Sequence, residues 1–175
     1  MRSAAETTFT IDASVHINAL SPHEPGSLQS QALLREIRRR RLRVFSPTIL
    51  VVEIAAALAR ALGSAQKACA LAEAIRSIPL QEWVPLDQAL AGQAMCLAAR
   101  HRLRGADAVY AAVARANASM LVTLDRQQLD RLAPILPAHR PEDVLAHLEG
   151  SSALGQRPAD SHSLTMLVLH LGHCT

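Results

Sequence analysis

The chain has 175 residues, of which half are hydrophobic, and a formal net charge of +3. That length suits one domain with a sizeable core, and that hydrophobic share argues against a disordered chain. Aromatic residues make up only 2% of the chain, namely Phe9, Phe45, Trp83 and Tyr110, so a base-stacking platform for single strands is not expected.

The basic residues are nearly all Arg, with Lys67 the sole lysine. Arginine's planar fork matches phosphate, and a mildly basic chain tolerates a polyanionic partner, although the same charge also describes an ordinary solvated surface. Cys69, Cys96 and Cys174 lie far apart with no CxxC spacing, which argues against disulfides and structural zinc. Cys69 and Cys96 fall in Ala-rich stretches and are expected to be buried thiols. No signal-peptide pattern or membrane-length apolar run is present, so a cytoplasmic protein is expected.

Thr8 to Ile11 alternates in β-type residues and predicts a short strand ending at Asp12. A polar stretch with Pro22, Pro25 and Gly26 follows. Residues 27–41 predict a helix with Leu33, Leu34 and Ile37 on one face and Arg38 to Arg41 at its end. Leu42 to Phe45 predicts a second strand, and Ser46-Pro47 a helix start, Ser as cap and Pro in the first turn. That helix runs to Leu62, where Gly63 stops it. Residues 65–77 form another helix, and Trp83 to Leu86 a short edge strand, where Pro85 is tolerated. Asp87 caps a helix to about Arg102. After Gly105, residues 106–117 are helical, and Met120 to Leu124 is an apolar strand ending at Asp125. A short helix, a Pro-rich link and a last helix over 141–148 follow. Strands alternating with helices predict an α/β fold, a three-layer α/β/α arrangement with a mostly parallel central sheet. Residues 1–150 read as one domain, and 151–175 as a C-terminal tail of different composition containing the apolar run Leu164 to Leu171.

Four carboxylates stand in apolar surroundings. Asp12 and Asp125 directly follow strands, and open parallel sheets bind ligands beyond the carboxyl ends of their strands. An aspartate in that place also serves as a cap or turn residue. Glu53 is the sole charge between Thr48 and Ala59, in a helix so apolar that it should be largely buried. Asp107 is the sole charge between Gly105 and Ala114. A buried carboxylate costs several kcal/mol, roughly, unless it is paired or bound to metal. An ion pair with Arg60, Arg104 or Arg126, or the helix dipole at Asp107, would satisfy these charges without a metal. If instead the four gather, their pKa values rise unless a cation intervenes. Carboxylates without His or Cys partners favour hard cations, Mg²⁺ or Mn²⁺, and such sites serve phosphoryl chemistry.

The set Ile11-Asp12-Ala13-Ser14, Ser46-Pro47 through Glu53 to Arg60, Asp107-Ala108 with its Ala-rich helix, and Val122-Thr123-Leu124-Asp125-Arg126 resembles a PIN-domain ribonuclease of the VapC-like toxin type. Order and spacing agree over residues 8–148. The resemblance implies Mg²⁺- or Mn²⁺-dependent cleavage of RNA. It matches Asp12, Glu53, Asp107 and Asp125 to the family's acidic quartet, as catalytic and metal-holding residues, with Ser14 and Thr123 in support. It further implies a homodimer and a cognate antitoxin. Arg38 to Arg43 could grip RNA phosphates or form a solvated helix end, and Arg60 and Arg126 could orient carboxylates or contact phosphate. His162, His170, His173 and Cys174 in the tail read as incidental rather than as a metal site.

Three other readings compete. A phosphoacceptor domain needs a lysine after a late strand, but Lys67 lies inside a helical stretch. A phosphatase of the haloacid-dehalogenase type needs a second Asp two residues after Asp12, where Ser14 stands. A PIN-like binding module without activity would have no reason to keep the full quartet.

Overall fold

The computed structural model describes residues 7–152. Five parallel strands form one sheet: β1 (Phe9–Ile11), β2 (Val44–Pro47), β3 (Gln81–Val84), β4 (Met120–Val122) and β5 (Ala138–His139). Their spatial order is β3-β2-β1-β4-β5. The chain thus builds outward from β1 on one side, then returns to lay β4 on the other. The switch point of the topology falls between β1 and β4, where open α/β sheets place their ligands. Register follows Phe9↔Met120, Thr10↔Leu121 and Ile11↔Val122, all parallel.

Side chains alternate across this sheet with period two. Phe9, Ile11, Val44 and Val122 face one layer, formed by α1 (Ala13–Ala19), α2 (Ser27–Arg39) and α8 (Pro141–Ser152). Val15, Leu33, Ile37, Val144 and Leu148 complete that core. Phe45 and Leu121 face the other layer, built from α3 (Ile49–Leu62), α4 (Ala65–Arg76), α5 (Gln88–His101), α6 (Gly105–Ala116) and α7 (Arg126–Leu132). The three-layer α/β/α arrangement is therefore as the alternation of elements required. The central helix is α6, whose run Ala108 to Ala114 is buried throughout and which packs on β1, β2 and β4. Small side chains let it lie close to the sheet.

Several local expectations are corrected. Residues 13–19, part of the polar stretch after Asp12 for which no element is predicted, form α1. Asp12 caps it, and the buried amide of Asn18 donates to the Pro25 carbonyl and accepts from Ser30 Oγ. Ser46-Pro47 does not start a helix. Both residues end β2, paired with β3 through Ser46↔Trp83 and Pro47↔Val84, and α3 begins at Ile49 behind Thr48. β2 and β3 are displaced by two residues from their expected bounds. The Pro-rich link holds the short edge strand β5. Cys69 and Cys96 are exposed, not buried, and Cys174 lies outside the described residues. The tail from residue 153 also lies outside them, with Leu164 to Leu171 and its histidines. No helix among the described residues is long and apolar enough to cross a membrane.

The apolar helix α3 is not largely buried either. Leu50, Ile54 and Leu58 form its buried stripe, while Val52 is 62% exposed. A stripe at i, i+4, i+8 is one face of a helix. Truncation should therefore discriminate sharply along it. Ile54→Ala is expected to destabilise by about 2–5 kcal/mol, and Val52→Ala by roughly 0.5 kcal/mol or less, in urea unfolding of each variant.

Candidate active site

Asp12 leaves β1 at its carboxyl end and is 7% exposed. Its backbone N–H donates to the Val122 carbonyl at 2.9 Å, which extends the β1–β4 pairing and fixes the residue at the switch point. Its carboxylate caps α1, accepting the Ser14 N–H at 2.7 Å. Burial pushes its pKa up to about 6. The hydrogen bonds from Ser14 oppose the rise, and the charges of Glu53 and Asp107 add to it. Ser14 also ties the two strand ends together, because its Oγ accepts the Leu124 N–H at 3.2 Å.

Glu53 projects from the second turn of α3. Its pKa is raised, first by burial and then by Asp107, while the Tyr110 phenol holds it down. That phenol donates to Glu53 Oε2 at 2.6 Å. Asp107 sits in the first turn of α6, where the helix dipole favours a carboxylate. Burial and the charge of Asp125 raise its pKa, while Arg104 and Arg131 lower it. Asp125 follows β4 and caps α7, accepting the Gln128 N–H at 3.0 Å, and its own N–H donates to Thr123 Oγ1 at 3.1 Å.

The four carboxylates thus stand at one edge of the sheet. Asp12, Glu53 and Asp107 each feel another's charge, and Asp107 also feels Asp125. As the side chains stand, no three His, Cys, Asp or Glu groups among the described residues close on a single point that would hold a metal ion. Glu53 is held by Tyr110, and Asp125 by its cap on α7 and by Arg104.

Of the arginines considered as partners, Arg104 makes the ion pair, with Nη1 at 3.4 Å from Asp125 Oδ2. Its side chain is 72% exposed, so the pair contributes little to stability. Arg60 and Arg126 are exposed. In the Arg38 to Arg43 cluster, Arg39 and Arg40 pair with Glu36, while Arg43 pairs with Glu82 and stacks over Phe45. Much of that cluster's charge is therefore spent within the protein.

Two site residues escaped the sequence reading. Tyr110 lies three residues after Asp107, hence on the same helical face, and is the one large buried side chain in an Ala- and Val-rich helix. Gln128 stands at the third position after the Asp125 cap, the spacing of a capping box. Its side chain instead reaches α6, where Nε2 donates to the Asp107 carbonyl at 3.3 Å, and its buried Oε1 has no protein partner.

The pKa of Asp12 makes a stability statement. The folded value lies above the ordinary 3.8, so the folded chain holds this proton more tightly than the unfolded one. Stability from this group is present at low pH and lost as pH rises from about 4 through about 6, by about 3 kcal/mol at most. Buried His16 acts oppositely, since its pKa is lowered to about 4 by burial and stability is lost as pH falls below 6.5. Comparing Asp12→Asn with the parent cancels the histidine. In chelator, the variant should be the more stable at pH 7.5, by up to about 3 kcal/mol, with the gap closing by pH 4. A gap independent of pH in urea titrations would show that Asp12 is not strained by its surroundings.

A family model described as the PIN domain matches residues 9–134. Among solved structures, the sarcin–ricin loop cleaving toxin VapC20 of Mycobacterium tuberculosis aligns with a TM-score of 0.60 and 19% identity, over 73% of this chain and 95% of that one. VapBC2 of Rickettsia felis, solved bound to a DNA fragment from its promoter, aligns with a TM-score of 0.59 and 13% identity, over 77% and 98%. A toxin–antitoxin complex from Klebsiella pneumoniae aligns with a TM-score of 0.54 and 16% identity, over 75% and 96%. At these identities the likeness is one of fold. A search of curated proteins returns no significant match. The family model spans most of the chain and takes in Asp12, Glu53, Asp107 and Asp125 with the strands and helices that carry them, and on that ground the chain belongs to the PIN domain family.

Proposed function

We propose that the chain is a metal-dependent endoribonuclease and the toxin of a toxin–antitoxin pair. The observation that carries this reading is the placement of four carboxylates, Asp12, Glu53, Asp107 and Asp125, at the carboxyl edge of the sheet beside its switch point, where burial first and neighbouring carboxylates second raise the pKa values of Asp12, Glu53 and Asp107. A cluster of like charges that opposes its own ionisation is a site poised for a cation.

The donor set fits a hard divalent ion. It is made of carboxylate oxygens without thiolate or imidazole, which favours Mg²⁺ or Mn²⁺. Asp12, Glu53, Asp107 and Asp125 would hold the ion. A bound ion would polarise a phosphodiester and lower the pKa of an attacking water. The chain's own part is orientation. Ser14 steadies Asp12 and spans to β4, Thr123 fixes the backbone of Asp125, and Gln128 ties α7 to the carbonyl of Asp107. Arg104, exposed beside Asp125, is the nearest cation for a substrate phosphate.

The partner readings are proposals of the same standing. Apolar side chains are exposed on several helices, Leu28 on α2, Val52 and Leu62 on α3, and Met95 on α5, and offer surface for a second copy and for an antitoxin. The likeness to toxin–antitoxin complexes supports the antitoxin. Residues 1–150 are taken as the nuclease domain, with the tail beyond them.

The test is cleavage of a panel of transfer and ribosomal RNAs with Mg²⁺, with Mn²⁺ and with chelator. Cleavage is expected with either ion and none in chelator. Asp12→Asn and Asp107→Asn should each lower the rate by roughly a hundredfold. Unchanged cleavage in chelator, or in both variants, sinks the proposal. The lack of a preformed three-ligand cluster favours one second reading, a PIN-fold binding module without activity. RNA binding without cleavage under every ion condition would establish that alternative.

A further inference from the structure

Tyr110 has no role in the site as the carboxylates alone define it, yet its hydroxyl meets one of them directly. It is 1% exposed, deep in the core between α6, α3 and the start of α1. Its hydroxyl has a single proton, donated to Glu53 Oε2 at 2.6 Å. A buried hydroxyl whose one proton goes to a carboxylate is fixed in direction. One phenol on α6 therefore holds Glu53 of α3, fifty-seven positions away in sequence.

Three features set this contact apart from ordinary core packing. The rest of the buried face of α6 is Ala and Val, so the tyrosine is not needed to continue a pattern of large side chains. A phenylalanine would fill the same apolar space without a polar group to satisfy. And the hydroxyl meets a carboxylate at the candidate site rather than a structural carbonyl. Partners that hydrogen-bond metal-ligating groups orient those groups and tune their donor strength.

We infer that Tyr110 is a positioning residue of the metal site, holding Glu53 by one oxygen so that Oε1 is presented to the cation alongside Asp12. The inference rests on the proposed metal site and names a residue of this chain that the acidic pattern does not contain. Because Oε2 already accepts the phenol proton, Oε1 is the Glu53 oxygen with both lone pairs open to the cation. The hydroxyl replaces rotational freedom that Glu53, only partly buried, would otherwise have to give up on binding the ion.

The test uses the full chain and needs no RNA. Mn²⁺ is titrated calorimetrically into the parent, Tyr110→Phe, Glu53→Gln and the double variant. Tyr110→Phe is expected to weaken Mn²⁺ binding about tenfold. The double variant should bind no more weakly than Glu53→Gln alone, because both changes break one interaction. Equal Mn²⁺ affinity of Tyr110→Phe and parent, or penalties that simply multiply in the double variant, overturns the positioning role while leaving the metal site standing. No Mn²⁺ binding by the parent overturns the metal site and the role together. A second measurement leaves the tyrosine intact. Tyr110 is the only tyrosine in the chain, so ¹³Cζ-tyrosine labelling gives one resonance. Saturating Mg²⁺ should shift it in the parent and leave it unmoved in Glu53→Gln. A parent resonance unmoved by Mg²⁺ that binds, or an equal shift in Glu53→Gln, counts against the inference.

Discussion

Asp12 is where two opposing demands meet. It is the last link in the pairing of β1 with β4, so its backbone cannot leave the sheet, and its carboxylate is consequently held in a place with little water. Burial penalises its charge, and the neighbouring carboxylates penalise it again. The rest of the site can be read as accommodation to that constraint. Ser14 supplies hydrogen bonds, α1 starts at the carboxylate and presents its amide dipoles to it, and Glu53 is tethered at one oxygen by Tyr110. What remains uncompensated is the charge between the oxygens, and this is the part a cation would complete.

The polar residues around the carboxylates are buried for a reason visible in their bonds. Thr123 and Gln128 are almost wholly enclosed, and each is bonded to the backbone of an acidic residue. Replacing such groups with apolar ones would leave the ends of β4 and α7 free to shift relative to α6. The protein thus meets the cost of enclosed polar atoms to set the spacing of Asp107 and Asp125.

Much of this was legible in the sequence, and the failures have physical causes. β1, β4 and the helices α3 to α6 follow from local patterns: β-branched alternation before Asp12, Gly63 as a stop, Asp87 as a cap. The carboxylates were visible because each breaks an apolar run. By contrast, α1 hides because its polar residues are buried. His16 and Asn18 are enclosed by α2 and the loop before it, and a period computed from polarity reads them as exposed. Ser46-Pro47 is a sound helix start taken alone, but pairing of β2 with strands on both sides overrides that preference. The composition of helix α3 suggests enclosure, but hydropathy does not report which side another element covers. Cys69 and Cys96 misled for the same reason. Tyr110 was recorded in the sequence only as a scarce aromatic, and its task depends on Glu53, fifty-seven positions earlier, through a contact that no local spacing encodes.

The strand order carries a consequence for how the molecule comes into being. β1 is central, yet one of its two neighbours is β4, so Phe9 waits for Met120 before its second edge is paired. Closing a loop of that length defers the reward for a costly ordering of the backbone, and parallel pairings of this kind form slowly. During synthesis, Asp12 and Glu53 leave the ribosome well before Asp107 and Asp125, and the switch point between β1 and β4 does not exist until the later pair has emerged. Any chemistry that needs the carboxylates together is therefore absent from the nascent chain by topology alone, and the cell that makes the protein meets it first as an inert, half-built sheet.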